Sequence, residues 1–344
     1  MGARDFLALL RAWPAAPTSK PPVDAESFVR AAARHGLAGF AAHAAERAGW
    51  GLPAAAQELL RRESMSAAAR AIRVNALLLR SVDALATVGV VPVLLKGPAL
   101  ARRLYPEPFL RATTDVDLLV GTEQVEPSSR ALEGLGLTRA PERPGHRGEH
   151  SHHREFQGPG GLVELHFRAL VGYGQALEAD MLLAHAEEAE LEGRRVRYLR
   201  AEEELVYLSL HASNHLLQRL SWVLDLKLLL LAHPRLRWPL VVEVARASAL
   251  PHLAWYALET ARRLLGAPVP LEVLEELSPP RWQQLLASRF FSEERLLGTA
   301  LVEHRLGWAA AKLLLAPRAG PIARYGLWRL TEALRARLPR TMQR

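Results

Sequence analysis

Apolar residues recur every three to four positions through most of the first 84 residues, the period of an amphipathic helix. Asp24 opens one such stretch as an acidic helix start, followed by Phe28, Val29 and Ala32. Residues 54–85 continue the pattern with little to break it. The period then changes. After Gly89 and Pro92, Val93, Leu94 and Leu95 form a short continuous apolar run, the mark of a buried strand. Lys96, Gly97 and Pro98 end it, and a helix over 99–105 is predicted with Pro in its first turn. Residues 115–120 read Asp-Val-Asp-Leu-Leu-Val, a second strand, and a helix over 123–135 follows, closed by Gly134 and Gly136. Residues 151–157 and 161–168 predict a hairpin around a turn at 158–161 rich in Gly. From about 176 onward the pattern is helical again, over 202–232, 240–265 with a break at Pro251, 271–277 and 281–316. The chain therefore reads as α+β, a small mixed β-sheet core over 85–200 flanked by an N-terminal helical region over 1–84 and a C-terminal helical domain over 201–344.

Composition narrows the function classes. Of 344 residues, 49% are hydrophobic, enough to build packed cores and to exclude a disordered chain. With 0 cysteines there are no disulfides, thiolate metal sites or cysteine nucleophiles, which fits a reducing cytoplasm, where we expect the chain to act. No apolar run reaches the roughly 18 residues of a membrane span; Arg80 and Asp83 interrupt the richest stretch, so no membrane partner is expected. The net charge of +8 invites a nucleic-acid reading, but the Arg-rich tail over 318–344 alone carries seven Arg against Glu332. The basic feature is that tail, in which Ile322, Tyr325, Trp328 and Leu334 recur at helical spacing and equally suit an amphipathic helix. A nucleic-acid partner is therefore not the favoured reading.

The chemistry gathers on the strands. Asp115 and Asp117 are two apart, so both carboxylates leave one face while Val116, Leu118 and Val120 leave the other for the core. Carboxylates about 7 Å apart along a strand repel unless a cation lies between them. In residues 163–167, Glu164 and His166 alternate with apolar residues in the same way. If the two strands are neighbours, Glu164 joins the aspartates and the three acids suit a pair of Mg²⁺ ions. Lys96 and Gly97, between a strand end and a helix start, suit a phosphate.

Together these segments resemble the uncharacterised nucleotidyltransferases of the polymerase-β superfamily. The resemblance runs over Leu-Lys-Gly at 95–97, Arg111 with the Asp-x-Asp of 115–117, Val-Glu-Leu-His-Phe at 163–167, His211 with His215, and Arg219 with Trp222 and Asp225. Where the wider superfamily has Gly-Ser, this chain has Lys96 and Gly97. The resemblance implies a Mg²⁺-dependent enzyme, two ions being expected, that transfers a nucleoside monophosphate from an NTP to an unidentified small molecule, peptide or RNA. It implies metal ligation by Asp115, Asp117 and Glu164, with Glu164 also able to take the acceptor's proton. It places Lys96, Gly97 and His166 on the nucleotide, and Arg111 either on the phosphates or as a brace for its loop.

His211, His215, Arg219 and Asp225 are expected to line an acceptor pocket or to be satisfied core groups. The i, i+4 histidines also fit a zinc site, but Ala212 stands where a zinc hydrolase of the His-Glu-x-x-His type needs Glu. His146, His150, His152 and His153 crowd one polar stretch, a solvated loop or a loose metal site. Two further functions compete with an active transferase: a catalytically silent nucleotide-binding protein, and a tRNA- or RNA-modifying nucleotidyltransferase that uses the basic tail.

Overall fold

The computed structural model describes residues 2–15, 20–141, 151–173, 175–298 and 305–318, with positions 320, 323–324 and 326–327. His146 and His150, and the apolar tail positions Ile322, Tyr325, Trp328 and Leu334, lie outside the described residues.

The N-terminal region is helical, as its periodicity requires: α1 (Gly2–Ala12), α2 (Ala25–Arg34), α3 (Ala38–Arg47) and α4 (Ala54–Thr87). Asp24 caps α2 by accepting from the Ser27 N–H at 3.0 Å. The 34 residues of α4 contain no Gly or Pro, and the helix ends where Gly89 turns left-handed at φ 72°. The chain then enters β1 (Val93–Leu94), α5 (Gly97–Leu104), β2 (Asp115–Leu119), α6 (Val125–Gly134), β3 (Thr138–Arg139), β4 (His153–Gly158) and β5 (Gly161–His166). The hairpin read from the sequence is β4–β5, with Gly158 opposite Gly161.

Four further strands follow, the last three of them reaching into the stretch from about 176 where a return to helix is predicted. These are β6 (Arg168–Gly172) and β7 (Gln175–Glu178), a separate ribbon, and, after the short α7 (Ala179–Leu183), β8 (Glu187–Leu191) and β9 (Arg194–Tyr198). In β8 and β9, Ala189, Leu191, Val196 and Tyr198 pack toward the core while Glu and Arg take the other positions. The remaining described residues are helical: α8 (Ala201–Asn214), α9 (Leu220–Ala232), α10 (Trp238–Ala247), α11 (Pro251–Leu265), α12 (Leu271–Leu277), α13 (Arg281–Phe290), α14 (Glu293–Leu297) and α15 (Arg305–Leu315). The helix expected over 202–232 is thus two helices. Leu216 and Leu217 are both left-handed, at φ 54° and 52°, and the chain turns there. Among the described residues, the stretch expected over 281–316 likewise holds three helices.

The sheet has seven strands in the order β3-β4-β5-β2-β1-β9-β8. It is mixed: β2 runs parallel to β5, and β1 parallel to β9, while β1 and β2 are antiparallel. One face is covered by α4 and α6. Val74, Leu77, Leu78, Val82 and Leu85 come from α4 at helical spacing and meet Val116, Leu118, Val163 and Leu165. Each such side chain contributes about 1.5–3 kcal/mol when buried. On the opposite face Val93, Leu95 and Leu119 join a larger core built from α1–α3 and the C-terminal helices. The polar ends of β2, β5 and β4 lie at the edge of that second face, and there the candidate site forms.

Candidate active site

Strand register builds the site. Asp117 of β2 is opposite Glu164 of β5, which is opposite Glu155 of β4. One level along, His166 of β5 is opposite His153 of β4. Side chains alternate along a strand, so these five share one face. Ligating atoms of Asp117, Glu164 and His166 lie within 4.8 Å of one another. His166 Nε2 is 3.2 Å from Asp117 Oδ1 and 3.3 Å from Glu164 Oε2. Asp115 sits one pleat away on the same face, half-buried, with Thr114 Oγ1 donating to its Oδ1 at 3.3 Å. Its oxygens are not within that 4.8 Å group among the described residues.

Lys96 is not the exposed strand-end charge that its sequence position suggests. It is 9% exposed, and its ammonium donates to Asp117 Oδ1 and lies 3.8 Å from Glu164 Oε2. Gly97, the first residue of α5, backs onto β2. It has φ 64°, and a Cβ there would come within 2.8 Å of the Asp115 carbonyl oxygen. Close approach of α5 to β2, and with it the delivery of Lys96 to the acids, therefore requires Gly at this position.

The charges shift one another. Burial alone would lower the Lys96 ammonium, but Asp117, Asp115 and Glu164 outweigh it and hold its pKa well above the ordinary value. Burial would raise Glu164; Lys96 and His166 reverse this and hold its carboxyl far below the usual range. Asp115 moves the other way, raised by burial and by the negative charge of Asp117. Burial works against a charged His166, yet its bonds to Asp117 and Glu164 raise it. His153 is pulled down to about 4 by burial and by His166.

The C-terminal helices face these groups. Lys96 lies near Tyr207 of α8, and its charge also reaches His211 one turn later. Burial and Lys96 hold His211 neutral, well below its usual pKa. His211, His215 and Trp222 form an aromatic wall, with centroids 4.8 Å apart for the histidines and 5.4 Å from each to Trp222. His215, which caps α8, is exposed at its rim, and Arg219 is exposed beside it.

Arg111, read as a phosphate contact or a loop brace, and Asp225, read as an acceptor-pocket or satisfied core group, are bonded to each other. The guanidinium donates to both carboxylate oxygens, Nε to Oδ1 at 2.9 Å and Nη2 to Oδ2 at 2.8 Å, and the Tyr105 hydroxyl donates to Oδ1 at 2.8 Å. The pair is buried, with side chains 6% and 1% exposed, which removes both from the open face. Arg111 thus takes the bracing arrangement, tying the loop before β2 to α9.

Sequence reasoning did not single out Glu155, Tyr207 or Trp222 as site residues. Glu155 was legible: it alternates with His153 along β4 just as Glu164 does with His166 along β5. Tyr207 gave no local signal, because α8 begins more than 100 residues after Lys96, whose charge it faces.

A cation suits this donor set. Asp117 Oδ2 is buried without a hydrogen-bond partner among the described residues, the kind of orphaned oxygen that a metal ligand leaves. Carboxylate oxygens are what Mg²⁺ prefers. The family model described as "Uncharacterised nucleotidyltransferase" matches residues 21–266, well over half of the chain. The chain belongs to that family. Residues 95–97, 111–117, 163–167 and 211–225, which carry the site, all fall within the match. No curated protein and no solved structure gives a significant match. No described helix of this nucleotidyltransferase family member is long and apolar enough to cross a membrane.

Proposed function

We propose that the chain binds an NTP with Mg²⁺ on the Asp117–Glu164 face and transfers its nucleoside monophosphate to an acceptor hydroxyl or amine. The observation that carries this reading is the register of β2 and β5, which brings Asp117, Glu164 and His166 to one point beside a buried Lys96. Asp117 and Glu164 would hold the metal, with Asp115 one pleat away to extend the ligand set. Mg²⁺, when bound, would supply electrostatic stabilisation of the reacting phosphoryl oxygens. Lys96, released from Asp117, is the chain's own cation for the β- and γ-phosphates, next to the free N–H groups that open α5. The acceptor atom attacks the α-phosphorus, the bond from that phosphorus to the bridging oxygen breaks, and pyrophosphate leaves. The acceptor's proton passes to a carboxylate of this face. His211, His215 and Trp222 offer flat surfaces for a base or an acceptor, and Arg219 a cation at the rim. In this reading residues 85–200 carry the reaction, while 1–84 and 201–344 supply its walls and braces.

The test is a screen of the four labelled NTPs with Mg²⁺ against small molecules, peptides and RNA, read by mass spectrometry and by pyrophosphate release. A nucleotide-sized mass gain with matching pyrophosphate, lost in Asp117→Asn, supports transfer. Nucleotide binding with no pyrophosphate from any acceptor would point to a silent nucleotide-binding protein. No nucleotide binding at all would overturn the reading.

A further inference from the structure

The carboxylate cluster does not exhaust the metal-ligating groups on this sheet face. His152, just before β4, and His153, its first residue, have ring centroids 4.2 Å apart. Their rings lie 5.7 and 5.1 Å from that of His166 on β5. Ligating nitrogens of the three come within 4.8 Å of one another. Glu155 is the next inward-facing residue of β4, and its Oε1 is 3.4 Å from His153 Nε2. Adjacent residues within a strand point to opposite faces. His152 precedes the strand and escapes this rule, so both rings reach one side.

His166 links this trio to the acids. Its Nε2 faces Asp117 and Glu164, while its Nδ1 is buried without a hydrogen-bond partner among the described residues. His166 is 3% exposed, and a buried ring nitrogen left without a partner is costly. An imidazole that gives one N–H to a carboxylate and turns its other nitrogen elsewhere is the usual arrangement of a metal-bound histidine.

We propose a second metal site on His152, His153 and His166, with Glu155 beside it as a fourth donor, that takes a borderline transition cation of the Zn²⁺ type. The donor chemistry separates it from the neighbouring acids: imidazole nitrogens suit Zn²⁺, Co²⁺ or Ni²⁺, while Mg²⁺ prefers oxygen. A tetrahedral ion with bonds of about 2.1 Å needs nitrogens roughly 3.4 Å apart, which ring rotations of about 1 Å would supply from the present spacing. The site is a consequence of strand register and does not depend on the transferase reading, because metal alone tests it.

The full chain is stripped with chelator and titrated with Zn²⁺ by calorimetry, and with Co²⁺ followed by its visible d–d spectrum. The wild type should bind one equivalent of Zn²⁺ and give the spectrum of nitrogen-ligated four- or five-coordinate Co²⁺. His152→Ala and His153→Ala should each weaken Zn²⁺ by at least the roughly 10–100-fold that loss of even an outer-shell partner costs. Either variant suffices if the other fails to fold. Asp115→Asn should retain the wild-type zinc affinity. The proposal is overturned if the wild type binds no Zn²⁺, or if both histidine variants bind it as the wild type does, which would place zinc on the carboxylates alone.

Discussion

At the scale of single residues, Lys96 decides the electrostatics of the site. A buried ammonium among three acids is desolvated, and only its partners offset that cost. Removing it leaves Asp117 and Glu164 facing each other with His166 alone between them. Lys96→Ala should therefore destabilise the chelator-treated protein by about 3–5 kcal/mol, the usual cost of breaking a buried pair. Mg²⁺ should restore more of the melting temperature in the variant than it adds to the wild type. Identical melting of the two in chelator would show that the pair carries no weight. Lys96→Arg keeps the charge but brings a broad planar fork, and should lose much of the nucleotide affinity. Gly97 makes a second prediction. Gly97→Ala meets the Asp115 carbonyl at 2.8 Å with φ at 64°, so it should cost at least about 1–3 kcal/mol, read by denaturant melts. A melt like that of the wild type would refute the close-approach argument. The chemistry of Lys96 was legible from a strand end beside Gly97 and Pro98; its burial was not. The groups of α8 that its charge reaches, Tyr207 and His211, lie more than 100 residues away, and no local pattern encodes that approach.

At the scale of elements, the start of α9 is held by a residue of the N-terminal region. His35 at the end of α2 is fully buried, and its Nδ1 accepts from the Leu220 N–H at 3.2 Å, one of the N–H groups that a helix start leaves without an internal partner. Burial pulls this imidazole down to about 3 from an ordinary 6.5. Its folded pKa is depressed, so the unfolded chain takes up the proton first as pH falls. Stability contributed by neutral His35 is fully present above about 6.5 and declines from there toward 3. His35→Asn keeps an acceptor near the Nδ1 position and cannot titrate. Its stability should lose up to one proton's worth of slope between pH 6.5 and 4 relative to the wild type, measured by urea titration at each pH. Equal slopes would contradict the assignment. The sequence showed the elements that carry a strong period, α2, α4, β2 and the β4–β5 hairpin, and hid those that do not. Leu216 and Leu217 break 202–232 in left-handed conformations for which leucine gives no warning. The β8–β9 hairpin is written in Glu and Arg, poor strand formers, and only the alternation of Ala189, Leu191, Val196 and Tyr198 around Glu192 and Gly193 betrays it.

At the scale of the whole molecule, buried ionic contacts join regions far apart in sequence. Arg111, Asp225 and Tyr105 lock the loop before β2 onto α9, and Lys227 of α9 donates to the Leu10 and Arg11 carbonyls at the end of α1, at 3.2 and 2.7 Å. Burial lowers the Lys227 ammonium to about 8, with Arg11 adding to the effect. With its guanidinium held by Asp225, Arg111 braces the loop that leads into Asp115 and Asp117. Arg111→Ala or Asp225→Ala, each leaving a buried charge alone, should cost about 3–5 kcal/mol. Arg111→Met with Asp225→Leu should recover a large part of it, since neither charge remains. Additive losses in the double variant, read by denaturant melts, would mean that the two residues act separately. The central claim is that the Asp117–Glu164 face holds a metal and a triphosphate together. The most direct measurement is calorimetric titration with non-hydrolysable analogues of the four NTPs, in Mg²⁺ and in chelator, for the wild type and Asp117→Asn. The account predicts that the wild type binds at least one analogue in Mg²⁺, and that chelator or Asp117→Asn each weakens it at least about tenfold, the loss of one charge-assisted contact. Equal affinity under all three conditions, or no binding by the wild type, would contradict it.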